Sequence, residues 1–152
     1  MQVTLAHIGS VSSAKDPFDG AVRDYLKRCV GVGAFASEAF RTEKALLEWL
    51  ERQRGRTPAV VVLLDSRGRQ MTSEALAAWL GRLRDEGTQH VVFAVGGADG
   101  WTEAARAVGT RSAGLMSMGP MTLAHSLARL VMAEQLYRAC TILTGHPYHK
   151  GH

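Results

Sequence analysis

The 152-residue sequence predicts an α/β domain, a mainly parallel sheet flanked by helices. Two apolar runs carry that reading, Ala59-Val60-Val61-Val62-Leu63-Leu64 and Gln89 to Val95. Both are rich in β-branched residues and lack polar alternation, the pattern of strands covered on two faces. The third observation is that such runs alternate with segments of helical spacing along the whole chain. A chain of this length buries a substantial core without disulfides or a structural metal, so one domain over residues 1–152 is expected.

Val3 to Ile8 reads as the first strand. Asp16-Pro17 then supplies an N-cap and a proline at the first helical position. Phe18, Val22, Tyr25 and Cys29 recur at helical spacing, predicting a helix to about Arg28, with Gly31 and Gly33 ending it. Residues 34–40 form a second strand. Thr42-Glu43 opens a helix carrying Leu46, Leu47, Trp49 and Leu50, which Gly55 and Pro58 stop. After the 59–64 strand, Asp65 and Gly68 are expected to turn the chain. Thr72 or Ser73 caps the next helix, striped by Leu76, Leu80 and Leu83. The 89–95 strand runs into a glycine turn, Gly96-Gly97-Ala98-Asp99-Gly100, and a short helix from Trp101 to about Val108. Residues 111–118 read as a last strand or strand-like loop. From Met121 to about Thr144 the pattern is helical, and Leu123, Leu127, Leu130, Val131, Leu136 and Cys140 do not share one narrow stripe. That helix is expected to be buried against two surfaces.

A formal charge of +4 and a pI near 9.4 favour an acidic partner such as RNA. Cys29 and Cys140 are far apart in sequence with no second pair, which argues against a disulfide framework or a zinc ribbon and for two buried thiols. The sequence begins without a basic, then apolar, leader pattern and has no apolar run of membrane-spanning length, predicting a cytoplasmic protein with no membrane partner. There is no HxH, CxxC or HExxH spacing for a metal and no G-x-S-x-G elbow.

In sheets of this kind ligands bind beyond the carboxyl ends of the strands, which gathers Asp65, the Gly96 turn and the Met116–Leu123 loop into one candidate site. The glycine turn lacks the G-x-G-x-x-G pattern and any Walker lysine, so by itself it is a tight strand-to-helix connection. The stretch Met116-Ser117-Met118-Gly119-Pro120-Met121-Thr122-Leu123 offers soft apolar side chains and exposed backbone suited to a flat heterocycle. Its methionines equally fit a core, and Thr122 equally fits an N-cap. His125 and Arg129 share a helix face, for which RNA binding is one explanation. Glu134 and Arg138 are set for an i, i+4 ion pair. Tyr148, His149 and Lys150 follow the last helix, where an aromatic ring, an imidazole and an ammonium suit a base and a phosphate; a frayed end is the alternative.

Taken in order, Leu63-Leu64-Asp65, Val95-Gly96-Gly97-Ala98-Asp99-Gly100, Met121-Thr122-Leu123-Ala124-His125, Glu134-Gln135-Leu136-Tyr137-Arg138-Ala139 and His146-Pro147-Tyr148-His149-Lys150 resemble the RlmH family. These are bacterial 23S rRNA pseudouridine N3-methyltransferases of minimal SPOUT type. The resemblance covers essentially the whole chain. It implies a trefoil knot in the C-terminal half, an obligate homodimer, the ribosome as partner and S-adenosylmethionine as cofactor. Leu64, Gly96, Met118, Gly119, Pro120, Met121, Thr122 and Leu123 match cofactor contacts of the family, while His125, Arg138, Tyr148 and His149 match its active-site and tail motifs. Arg129 and Lys150 are the expected RNA contacts. Two departures bear on substrate choice: Ala124 and Ser126 stand where the family commonly has proline, and the segment after the second strand is short, with Arg41 and Lys44 its nearby cations. Methylation of another RNA base, or a ribosome-binding protein without catalysis, are the competing expectations.

Overall fold

The computed structural model describes residues 1–9, 16–53 and 57–150. The stop expected at Gly55 lies outside the described residues. Five strands form one parallel sheet in the order β2-β1-β4-β3-β5. They are β1 (Gln2–Ile8), β2 (Ala34–Phe40), β3 (Val60–Gln70), β4 (His90–Val95) and β5 (Gly114–Ser117). Between and after them run α1 (Asp19–Arg28), α2 (Glu43–Arg52), α3 (Ser73–Asp85), α4 (Glu103–Thr110), α5 (His125–Thr144) and a 3-10 turn at Pro147–His149.

The two-residue period of the strands sorts the core into layers. Val62, Val91, Phe93 and Val95 face α1, α3 and α5, packing with Val22, Leu76, Leu80, Met132 and Leu136. Their neighbours Val61, Leu63, Val92 and Ala94 face the opposite way, onto Leu46 and Leu50 of α2 and Ala105 of α4. α5 lies between α1 and α3 and touches β1 and β4. Ala128, Met132, Ala133, Leu136, Tyr137, Ala139 and Cys140 are therefore buried around much of its girth, which accounts for its missing single stripe.

Three helix starts differ from the sequence reading. α1 begins at Asp19 rather than at Asp16-Pro17, and the Asp16 carboxylate instead accepts from the Phe18 N–H at 2.9 Å. α4 begins after Trp101, where Thr102 accepts from the Ala105 N–H as its N-cap. α5 begins at His125, four residues later than expected, with Ala124 rather than Thr122 at the cap. The Met121–Ala124 stretch is apolar enough to continue a helical pattern, yet it is a loop. α2 and α3 start where expected, capped by Thr42 and Thr72.

The largest departure is in β3, which does not turn at Gly68. It continues to Gln70, and its register against β5 slips between Leu64 and Arg69. A Cβ on Gly68 would lie 2.4 Å from the Met116 backbone nitrogen, so only glycine lets this extension cross β5 so closely. Cys29 and Cys140, distant in sequence, are buried in one cluster and interact as thiols; the hydrogen bond with Cys140, and then burial, push the Cys29 thiol up. No helix among the described residues is long and apolar enough to cross a membrane, and no group of three or more His, Cys, Asp or Glu among them is placed to hold a metal ion.

Candidate active site

A cleft of about 590 Å³ opens beyond the carboxyl ends of β4 and β5, beside the Leu64–Arg67 part of β3. Leu64 to Arg67 form one wall, Gly96 to Trp101 a second, and the β5–α5 loop with the first turn of α5 the third. Of the residues expected at a cofactor, Leu64, Gly96, Met118, Gly119, Met121, Thr122 and Leu123 line it, whereas Pro120 is in the same loop but outside the lining. His125 also lines the cleft. The strand-end rule located the site because the loops after β4 and β5 leave the same end of the parallel sheet, beside Leu64, where the pairing of β3 with β4 ends.

The walls are held by bonds whose partners are distant in sequence. The Trp101 indole, 5% exposed, donates to the Leu64 carbonyl at 2.9 Å and ties the β3 wall to the β4 wall. Asp65 accepts from the Arg67 N–H at 2.8 Å and pairs with Arg106 of α4 at 3.1 Å. Burial alone would raise the Asp65 carboxyl, but the Arg67 N–H and the Arg106 guanidinium outweigh it and hold the group below its ordinary value. Ser117 staples the loop to itself, accepting from the Gly119 N–H at 3.1 Å and donating to the Gly119 carbonyl at 3.0 Å. That closed turn requires φ +130° at Gly119, open to glycine and strained for other residues. Met121 stands at the lip, 82% exposed, an apolar side chain left for something to cover.

The tail makes a second, separate site. Pro147–His149 folds back on the C-terminal half of α5, where the Tyr148 ring meets Tyr137 edge-on at 4.8 Å. Glu134 Oε1 accepts from Arg138 Nη2 at 2.6 Å, from Arg138 Nε at 3.1 Å and from the Tyr148 hydroxyl at 2.9 Å. Arg138 Nη1 is 3.0 Å from His149 Nδ1, and His149 Nε2 is 2.7 Å from Glu74 Oε1 on α3. Glu134 raises the Arg138 guanidinium further, while burial and then the Glu134 carboxylate push the Tyr148 hydroxyl up to about 12. The tail is thus docked rather than frayed, with Lys150 exposed at its end.

Arg138, Tyr148 and His149 do not line the cleft. Arg138 is ten residues further along α5 than Ala128, the last helix residue at the cleft, or about 15 Å at 1.5 Å per residue. Arg129 corrects the sequence reading. It is 3% exposed, donating to Asp19 at 3.1 Å and Ser37 at 2.8 Å and pairing with Asp16 at 3.4 Å. The face of α5 that carries it packs on α1, where its charge is paired with Asp16 and Asp19. Arg106, Trp101, Glu74 and Glu134 were given no site role by sequence reasoning; only Glu134 left a signal, its i, i+4 spacing from Arg138.

A parallel sheet whose strand-end loops form such a cleft, with an apolar methionine–glycine wall, suits binding of a small cofactor. The family model described as Predicted SPOUT methyltransferase matches residues 1–149, and the chain belongs to that family. Among similar proteins, the ribosomal RNA large subunit methyltransferase H of Koribacter versatilis is 50% identical over 129 residues, 85% of this chain and 86% of that protein. The protein of the same name from Brucella ovis is 44% identical over 115 residues, 76% of this chain and 66% of its own length. The solved SpoU methyltransferase AviRb from Streptomyces viridochromogenes, in complex with AdoMet, superposes with a TM-score of 0.48 at 15% identity, over 95% of this chain and 58% of that one.

Proposed function

We propose that this chain transfers a methyl group from S-adenosylmethionine to N3 of a pseudouridine in 23S rRNA, on the ribosome, as a cytoplasmic homodimer. The observation that carries the reading is the separation within one chain of the cleft from the Arg138, Tyr148 and His149 cluster. A second copy brings its own tail cluster to the first copy's cleft, and the two halves then make one site. The shared name of the Koribacter and Brucella relatives supports the large-subunit rRNA substrate.

The cleft fits the cofactor in size and chemistry. Leu64, Gly96, Met118, Gly119, Met121, Thr122 and Leu123 would hold it, with apolar side chains for the adenine and backbone groups for its polar edge. When bound, S-adenosylmethionine supplies a methyl group on a sulfonium, an electrophile that needs alignment more than activation. The chain's own contribution is first positioning, worth several powers of ten when the reacting atoms are held in line. The N3 imide proton must leave as nitrogen gains the methyl. Arg138 is suited to stabilise the resulting imidate charge, and His149 to take the proton once Arg138 has turned to the base. Tyr148 offers a ring for stacking and Lys150 an ammonium for phosphate.

The trefoil knot belongs to the same proposal. It is supported by the way the Asp65–Gln70 extension crosses β5 against the Met116 backbone before the chain passes on to α5. The functional test is transfer of labelled methyl to intact ribosomes from cells lacking the protein, with the modified nucleotide mapped. Label on one large-subunit pseudouridine is expected; unlabelled ribosomes together with labelled free RNA of another kind would reject the substrate.

A further inference from the structure

Glu74 reaches the tail cluster from outside it, from the first turn of α3. Its Oε1 lies 2.7 Å from His149 Nε2, and the adjacent Ser73 hydroxyl donates to Gln135 Oε1 at 2.6 Å, so this turn is tied to α5 and the tail at two points. Two contacts of His149 with described residues assign its ring hydrogen. A guanidinium offers donors alone, so Nδ1, 3.0 Å from Arg138 Nη1, is the acceptor. The hydrogen then sits on Nε2 and is donated to Glu74. In the opposite tautomer an N–H of His149 would face an N–H of Arg138, and the guanidinium would be pushed away.

We infer that Glu74 is a positioning residue for methyl transfer: by accepting from His149 Nε2–H it keeps Nδ1 an acceptor, which holds Arg138 in place before the base binds and takes the N3 proton once Arg138 has turned to the base. Arg138 is gripped at both ends, by Glu134 through Nε and Nη2 and by His149 through Nη1. These bonds engage three of the five guanidinium N–H groups, and two remain for an incoming anion. Among the described residues, Arg138 and Glu74 face His149 directly, with Glu134 and Tyr148 one bond further on. The His149 contact holds the Glu74 carboxyl below its ordinary value, in keeping with a carboxylate that stays an acceptor. The competing role is a plain one, an acidic residue in the first turn of a helix favoured by the helix dipole. That role has no bearing on the His149 tautomer.

This inference rests on the proposed role of Arg138 and His149. The experiment is nitrogen-15 NMR of the full-length, histidine-labelled protein, beside steady-state methylation of intact ribosomes. The wild-type protein is expected to show His149 with its hydrogen on Nε2. Glu74→Ala should give a mixture of tautomers and lower kcat about tenfold with an unchanged KM for S-adenosylmethionine. Glu74→Gln, whose amide oxygen still accepts, should keep the tautomer and most of the turnover. Wild-type His149 with its hydrogen on Nδ1, or Glu74→Ala with normal turnover, would overturn the inference. The two readings fail differently. If the tail reading is wrong, His149→Ala turns over normally; if only the Glu74 inference is wrong, His149→Ala is inactive and Glu74→Ala is not.

Discussion

The two ends of α5 differ in kind. At its N-terminal end the helix opens on a cleft of glycine backbone, methionines and one committed ion pair, with His125 the one imidazole among the described lining residues. Its C-terminal half carries Glu134 and Arg138, which form one continuous hydrogen-bonded cluster with Tyr148 and His149 of the tail, closed by Glu74. The first end is built to hold a molecule and the second to handle charge. A single helix separates them by about 15 Å, too far for one chain to apply both to one small reacting group. The division teaches that binding and charge handling are separable properties of this fold, and mutations should separate them too.

The sharpest break is expected from paired variants at the two ends. His149→Ala or Arg138→Ala should reduce methyl transfer to ribosomes by about 100-fold or more while calorimetric S-adenosylmethionine binding stays at the wild-type level. Gly119→Val should do the reverse, abolishing cofactor binding because a β-branched residue does not fit φ +130°, while the tail cluster stays intact. Loss of cofactor binding in the His149 or Arg138 variant, or of the tail cluster in Gly119→Val, would mean that the two ends are not independent.

Between the ends lies Arg129, and here the comparison predicts a stability effect. Arg129→Ala leaves the carboxylates of Asp16 and Asp19 without their buried partner, and unfolding in urea should show a loss of about 3 kcal/mol. The Arg129→Lys protein should recover part of it, since an ammonium keeps the charge but not the fork that reaches both Asp19 and Ser37.

At the cleft, Asp65→Asn should cost about 2 kcal/mol by removing the charge from the bond to Arg106. Because the folded-state Asp65 lies below its ordinary value of 3.8, its contribution is complete above that pH and is lost as pH falls through the lowered value. The Asp65→Asn protein should therefore show a flatter acid limb in thermal melts. The tail has the opposite sign. Tyr148 is raised from 10 to about 12, so its contribution is complete below pH 10 and disappears as pH rises through about 12. A tyrosinate absorbance titration should show one group moving back toward 10 in Glu134→Gln, and an unmoved titration would remove Glu134 as a cause.

Much of this fold could be read from the chain because its signals are local. β-branched runs mark β3 and β4, and threonine caps mark α2 and α3. The errors arise where a distant contact decides. Gly68 looks like a turn residue until the β5 backbone is known to pass against it, and Met121–Ala124 looks helical until the Ser117–Gly119 staple is seen to hold it as a loop. Arg129 illustrates the same limit: helical periodicity gives its face, but its two carboxylate partners are more than a hundred residues away on α1 and in the stretch before it. At the site, the strand-end rule was enough to gather the cleft, since it depends on topology alone. No spacing rule joins Glu74 to His149, or Trp101 to Leu64.

In the proposed dimer, one protomer's cleft works with its partner's tail. Gly119→Val and His149→Ala, each inactive alone, are mixed and allowed to exchange subunits, with mass spectrometry following heterodimer formation. In a two-fold dimer each heterodimer contains one site with an intact cleft and an intact tail, so the equilibrated mixture should recover about a quarter of the wild-type rate per protomer. A mixture that forms heterodimers yet stays as inactive as its components would contradict the claim.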